Sequence, residues 1–172
     1  MTDVFIGRFV KPFGIRGELK FCPTADFWED VLRSTRIILR RGTSGGVAER
    51  TIAFERSRPH GNCYVVRING IDDRNAAEEL IGGELFLDVD DMDVELPERI
   101  LPFQVVGATV KTEEGTVLGE ITSVVFSAAH DVYEVEGENG TFLVPAVSEF
   151  IVSIDEGNRV VTIRLMPGLI DE

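Results

Sequence analysis

The sequence predicts a mainly β fold made of two small β-barrel domains, and three observations carry that prediction. Eleven Phe and many Val and Ile stand in short apolar runs punctuated by 17 Gly and 7 Pro, a composition of strands and turns rather than helices. The runs have strand length and turn residues separate them at short spacing, as in small barrels. One acidic stretch, residues 88–99, interrupts the chain, so domains are expected over 1–87 and 100–172 with this stretch as the linker.

The first strand is expected over residues 4–10. It leads into a corner, Lys11-Pro12-Phe13-Gly14-Ile15-Arg16-Gly17, and a second strand over 18–21. Pro12 fixes its own φ and pushes Lys11 towards an extended conformation, while Gly14 and Gly17 are free to take positive φ. The corner therefore holds a defined shape and displays Arg16 from a stiff base; on pattern alone it is equally a hairpin corner with solvated charges. Residues 23–32 read as a turn and a short helix, capped by Thr24 or Asp26, that buries Phe27, Trp28, Val31 and Leu32 on one side. Strands follow over 36–40 and 50–56. The glycine-rich linker between them, residues 42–46, lacks the Gly-Lys-Ser/Thr and the following helix of a phosphate-binding loop. Residues 63–68 form a further strand. Asp72 or Asp73 then caps a helix over 74–81 that stops at Gly82-Gly83, and a strand over 84–87 closes the first domain.

Asp88, Asp90, Asp91, Asp93 and Glu95 crowd the linker, and Pro97 breaks any regular element there. A calcium loop is disfavoured, because the glycine and the terminal glutamate of an EF-hand loop do not fall at the required offsets. Beyond it, strands are expected over 108–112, 119–125, 132–136 and 141–144, with Glu114-Gly115 and Asn139-Gly140 as hairpin turns. A short helix over 147–151 and a last strand over 160–165 complete the second domain.

Net charge is −13, unevenly spread: residues 1–60 carry 11 Lys/Arg against 7 Asp/Glu, and residues 96–172 carry 4 against 13. Broad binding to a phosphate backbone needs a basic footprint that the chain as a whole lacks, whereas the acidic second half suits a basic protein partner. Cys22 and Cys63 stand alone among apolar residues, without metal-ligand spacing or a Cys-x-x-Cys pair, and read as buried free thiols in a reducing cytosol. Asp3, Gly7 and Arg8 interrupt any signal-peptide core and no apolar run reaches membrane-spanning length, so a cytoplasmic protein is expected. Catalysis has no foothold. His60 lies in a Pro-His-Gly loop as a solvated turn residue. In Ser127-Ala128-Ala129-His130-Asp131, neighbouring side chains on an extended chain point to opposite faces, so a triad is not expected and Asp131 is read as bracing the turn. No catalytic residue, metal site or cofactor is expected.

The string Gly7-Arg8-x-x-Lys11-Pro12-x-Gly14-Ile15-Arg16-Gly17-Glu18-x-Lys20 resembles the opening signature of the RimM family of bacterial ribosome maturation factors. The resemblance runs along nearly the whole chain. Gly70-Ile71-Asp72-Asp73-Arg74 with Ala77, Glu78 and Leu80 is similar to a second family segment. Val105-Val106-Gly107, Gly119, His130-Asp131-Val132 and the ending Met166-Pro167-Gly168-Leu169-Ile170-Asp171 resemble the family's C-terminal PRC barrel. What the resemblance implies is a translation-factor-like N-terminal barrel joined to a PRC barrel, without enzymatic activity and acting as a monomer. It also implies binding to the head of the immature 30S subunit through small-subunit ribosomal protein nineteen, with help to 16S rRNA processing and a secondary contact with that RNA. The implied contact residues are Lys11, Pro12, Gly14, Ile15, Arg16, Gly17, Leu101, Phe103, His130 and Asp131. One departure stands out: many members carry a Tyr-Tyr pair before the PRC barrel, associated with ribosome binding, where this chain has Ile100-Leu101-Pro102-Phe103. Leu101 and Phe103 keep the apolar character without the phenolic hydroxyls, as an apolar anchor between domains or against the partner.

Other readings stay open at the level of sequence. The chain is alternatively a direct RNA-binding module using Lys11, Arg16, Lys20, Arg40 and Arg41. An interaction adaptor on the same barrel, and a metal-free hydrolase resting on His130-Asp131, complete the set.

Overall fold

The structure, a computed structural model, describes residues 2–166. It is mainly β and divides into two compact units, Met1–Glu98 and Arg99–Glu172, each built on one sheet.

The first sheet holds β1 (Asp3–Phe13), β2 (Glu18–Pro23), β3 (Ile37–Thr43), β4 (Gly46–Ile52), β5 (Phe54–His60), β6 (Cys63–Ile68) and β7 (Glu84–Asp88) in the order β4-β3-β7-β1-β2-β6-β5. Alternate residues of each strand point to one face, and Ile6, Phe9, Leu19, Phe21, Ile37, Val66, Leu85 and Leu87 are buried there. Each large apolar side chain removed from water in this way contributes on the order of 1.5–3 kcal/mol. Besides the register shift of β1 against β7 between Phe5 and Gly7, two bulges break the alternation within β1-β2-β6-β5. Phe9 pairs with Phe21, but Lys11 pairs with Lys20, so Val10 is the extra residue in β1. Phe54 pairs with Ile68, but Arg56 pairs with Arg67, so Glu55 is the extra residue in β5. Each bulge turns the residues beyond it to the opposite face of the sheet.

Several local expectations change. The strand expected over 50–56 is two strands, because β4 and β5 separate at Ala53 and β5 continues to His60. The helix expected over 74–81 is α1 (Arg74–Glu78), whose cap is Asp73, with its carboxylate accepting from the Ala76 amide at 2.8 Å. Residues 23–32 form a 3-10 turn, Glu29–Arg33, with Trp28 at its N-cap and no side-chain cap. The reading of Cys22 and Cys63 as free thiols is corrected: the two are bonded to each other, and both are half-buried. Phe21 lies opposite Tyr64, which sets Cys22 opposite Cys63 with 4.5 Å between their Cα atoms, a juxtaposition hidden by 41 residues of sequence separation. The acidic stretch up to Glu98 packs with the first unit. The Trp28 indole donates to the Glu95 carbonyl at 3.0 Å, Ser34 and Thr35 donate to the Asp93 carboxylate, and Arg36 pairs with Asp91 at 2.8 Å.

The second sheet holds β8 (Thr109–Thr112), β9 (Val117–Phe126), β10 (Asp131–Gly137), β11 (Gly140–Pro145), β12 (Ile151–Asp155) and β13 (Val160–Ile163) in the order β11-β10-β9-β8-β13-β12. The β13–β8 pair is parallel and the other pairs are antiparallel. Val110, Ile121, Tyr133, Val135, Val144, Val161 and Ile163 form its core. A short helix, α2 (Pro102–Val105), precedes the sheet. The helix expected over 147–151 is a single turn, closed by the Phe150 and Ile151 amides on the Val147 carbonyl, and the chain then enters β12 opposite Ile163. The signature ending at 167–171 lies outside the described residues.

Candidate functional site

The corner between β1 and β2 is held by the segment Gly70–Arg74 of the first unit. Gly14 and Gly17 take φ of +71° and +87°, the left-handed region that favours glycine. At Gly17 a Cβ would stand 2.5 Å from the Ile71 carbonyl oxygen, whereas at Gly14 it would meet open space. The Arg74 guanidinium donates to the Gly14 carbonyl at 3.3 Å and pairs with Glu78 at 3.0 Å. Gly14–Gly17 and Gly70–Arg74, far apart in sequence, are thus one assembly, anchored by the capped start of α1. On this base Ile15 is 78% exposed, and Arg16 projects with no ion-pair partner among the described residues. The corner thus presents an apolar tip beside a free guanidinium to solvent. Lys11 is exposed and Pro12 half-buried at the approach to the corner.

Sequence reasoning missed the support on the far side. Phe13 stacks edge-on with His60 at 5.1 Å between ring centroids, and the Arg58 guanidinium lies 5.4 Å from the Phe13 centroid while pairing with Glu18 at 2.7 Å. His60 is exposed, as expected, but it ends β5 in ring contact with Phe13 instead of lying in a turn. Phe13 and His60 lie at diagonal corners of the four strands β1-β2-β6-β5, so the sheet coils strongly enough to bring them together. The signal for these residues was the alternation Arg56-x-Arg58-x-His60, which has strand period. Arg40 is withdrawn from the free cations: it pairs with Asp3 and with Glu49, lies 4.5 Å from the Phe86 ring centroid, and has its pKa raised by the Glu49 and Asp3 hydrogen bonds.

The second unit places its candidates differently. Leu101 is fully buried, and its amide donates to the Gln104 side chain at 2.7 Å, which in turn donates to Glu156 at 2.9 Å, so this residue builds α2. Phe103 is half-buried on the same short helix. His130 ends the loop before β10 and Asp131 begins that strand, and the bracing falls to Ser127, whose hydroxyl donates to the His130 carbonyl and accepts from its amide at 3.2 Å. The His130 Nδ1 lies 3.1 Å from the Asp131 carbonyl oxygen, and the Ser127 hydroxyl donates to the His130 backbone carbonyl rather than to the imidazole, so the hydrogen bonds here are those of a turn and not of a nucleophile–base pair. Asp131 instead lines a cleft of about 380 Å³ with Tyr133, Ile100, Val147, Ile151 and Ile154. Burial, with the Asp131 charge, pushes the Tyr133 phenol pKa up, keeping it a neutral donor. Among the described residues no group of three or more His, Cys, Asp or Glu is arranged to hold a metal ion.

Comparison with known proteins covers both units. The profile described as RimM N-terminal domain matches residues 4–92, and that described as RimM PRC barrel domain matches residues 102–169. A protein of Syntrophomonas wolfei named ribosome maturation factor RimM is 32% identical over 171 residues, covering 98% of this chain and 96% of the relative. A protein of the same name from Prosthecochloris aestuarii is 34% identical, covering 92% of each chain. A solved structure of a 16S ribosomal RNA processing protein RimM from Pseudomonas aeruginosa is 28% identical over 96% of this chain and 98% of its own, with a TM-score of 0.48.

Proposed function

Because the chain belongs to the RimM family of ribosome maturation factors, we propose that it is a non-enzymatic assembly factor. It binds the head of the immature 30S subunit through small-subunit ribosomal protein nineteen and assists 16S rRNA processing there. The observation that carries this reading is the match of both family domains, in order, over residues 4–92 and 102–169. The charge of the second unit supports it, since 13 Asp/Glu against 4 Lys/Arg over residues 96–172 favour a basic partner such as a ribosomal protein. Ile15 and Arg16 at the corner, with Phe103 and the Asp131–Tyr133 cleft, are the proposed contacts. Leu101 supports Phe103 by holding the start of α2. No helix of the described residues is long and apolar enough to cross a membrane. The proposed setting is cytoplasmic, and the proposed form a monomer.

Calorimetric titration of the full chain against ribosomal protein nineteen tests the reading. One-to-one binding that weakens as salt is raised is expected. Absence of binding to the isolated protein and to the immature subunit alike would overturn it.

A further inference from the structure

We propose that the outer face of β1-β2-β6-β5 is an RNA-binding surface that grips the phosphate backbone; this deepens the ribosomal reading above and rests on it. The two bulges create the face. Beyond Val10, Lys11 turns outward opposite Lys20, and beyond Glu55, Arg56 turns outward opposite Arg67. Register then lays out three rows across the four strands. Arg8, Cys22, Cys63 and His60 form one, Lys11, Lys20, Val65 and Arg58 the next, and Phe13, Glu18, Arg67 and Arg56 the third. In the third row Glu18 and Arg67 are opposite by continuation of the Leu19–Val66 register.

Six cations and a single carboxylate, Glu18, occupy these positions. Like charges directly opposite destabilise a sheet, yet this face holds two such pairs, Lys11/Lys20 and Arg56/Arg67. Lys11, Lys20 and Arg56 have no carboxylate partner among the described residues. Arg67 is held from its flanks by Asp72 at 2.6 Å and Glu55 at 3.3 Å, and its buried Nε makes no hydrogen bond. Phe13 and His60 meet at 5.1 Å between ring centroids, and an open pocket of about 210 Å³ is lined by Glu18, Arg56, Ser57, Arg58, Val65 and Arg67. Val65 is 1% exposed between Lys20 and Arg58, whose aliphatic stems can cover it while their charged ends reach solvent. The Cys22–Cys63 bond ties the two central strands within the same face.

The chemistry selects a polyanion. Planar guanidinium groups match phosphate oxygens bidentately, and strand spacing repeats the cations at about 4.8 Å along an extended ligand. Phe13 and His60 add an aromatic corner on which an unstacked base can lie, which an acidic protein would not use.

The test is fluorescence anisotropy of the full chain with a labelled transcript of the 16S rRNA head domain, titrated at increasing salt. Wild type is expected to show affinity that falls steeply with salt. Replacing Lys11, Lys20 and Arg56 together by Ala should lower affinity about tenfold or more and flatten the salt slope by about 2, roughly 0.7 per lost phosphate contact. Arg50→Ala, on β4, should leave both unchanged. Should the triple variant fail to fold by circular dichroism, Lys11→Gln with Arg56→Gln removes two exposed charges and should flatten the slope by about 1.4. A folded variant that keeps wild-type affinity and slope overturns the proposal, as does polyglutamate binding as tightly as the transcript. Lys20→Ala with Arg56→Ala, which leaves the implied contact Lys11 in place, should bind ribosomal protein nineteen as wild type does. Salt-sensitive RNA binding without any protein-nineteen binding would overturn the assembly reading and leave this surface standing.

Discussion

At the scale of single residues, the corner separates two glycines that look alike in sequence. Both have positive φ, but only Gly17 abuts a backbone carbonyl. Gly14→Ala should cost about 1 kcal/mol for the left-handed conformation, and Gly17→Ala about 3 kcal/mol, because strain and collision add. Urea denaturation of the two variants would refute the distinction if they proved equal. Leu101→Ala should destabilise by about 2–5 kcal/mol as a cavity in a fully buried site, whereas Phe103→Ala should spare stability and weaken subunit binding. A loss of subunit binding in a fully stable Leu101→Ala chain would contradict this division. Asp93 carries a pH dependence. Burial pushes its carboxyl up, but the hydrogen bonds from Ser34 and Thr35 outweigh burial and bring it down to about 2. A depressed folded-state pKa means stability present above the unfolded value near 4 and lost as pH falls towards 2. Asp93→Ala should therefore flatten the acid limb of the stability profile between pH 4 and 2; an unchanged limb would remove Asp93 from it.

At the scale of elements, most strands were legible because alternation of apolar and polar residues has a period that no other element shares, but β12 was not expected and the single strand expected over 50–56 stood where β4 and β5 lie. What sequence could not show was anything set by pairing. The bulges at Val10 and Glu55 exist only relative to β2 and β6, so the outward turn of Lys11 and Arg56 has no local signal. The partnership of Cys22 with Cys63 is invisible for the same reason, since it follows from the register of β2 on β6. A cross-link closing a loop of 41 residues should stabilise the chain by about 4 kcal/mol in the chain-entropy account. Guanidinium unfolding with and without a thiol reductant measures it, and coincident midpoints would show that the bond contributes nothing or does not form. The helix expected over 147–151 fell to one turn because β12 needs Ile151 opposite Ile163, a tertiary demand that overrides a weak local preference.

At the scale of the whole molecule, the charge of the first part mattered less as a total than as a location. Residues 1–60 exceed neutrality by four cations, a modest surplus in composition. Folding gathers Lys11, Lys20, Arg56 and Arg58 on one face while Arg40 is neutralised by Asp3 and Glu49 elsewhere. The candidate site was legible where a motif is contiguous, as at Gly14–Gly17, and illegible where the residues come from four strands. Binding of protein nineteen should weaken with salt through the acidic second unit even when the basic face is neutralised; a salt-independent affinity would argue for an apolar interface instead. The bond between Cys22 and Cys63 also changes what a broken backbone means for this chain. The exposed tip joining β3 to β4, at Thr43–Gly46, lies inside the span that the bond encloses. A protease that nicks this tip leaves two polypeptides in one covalent particle, separable on a gel only after a reductant is added.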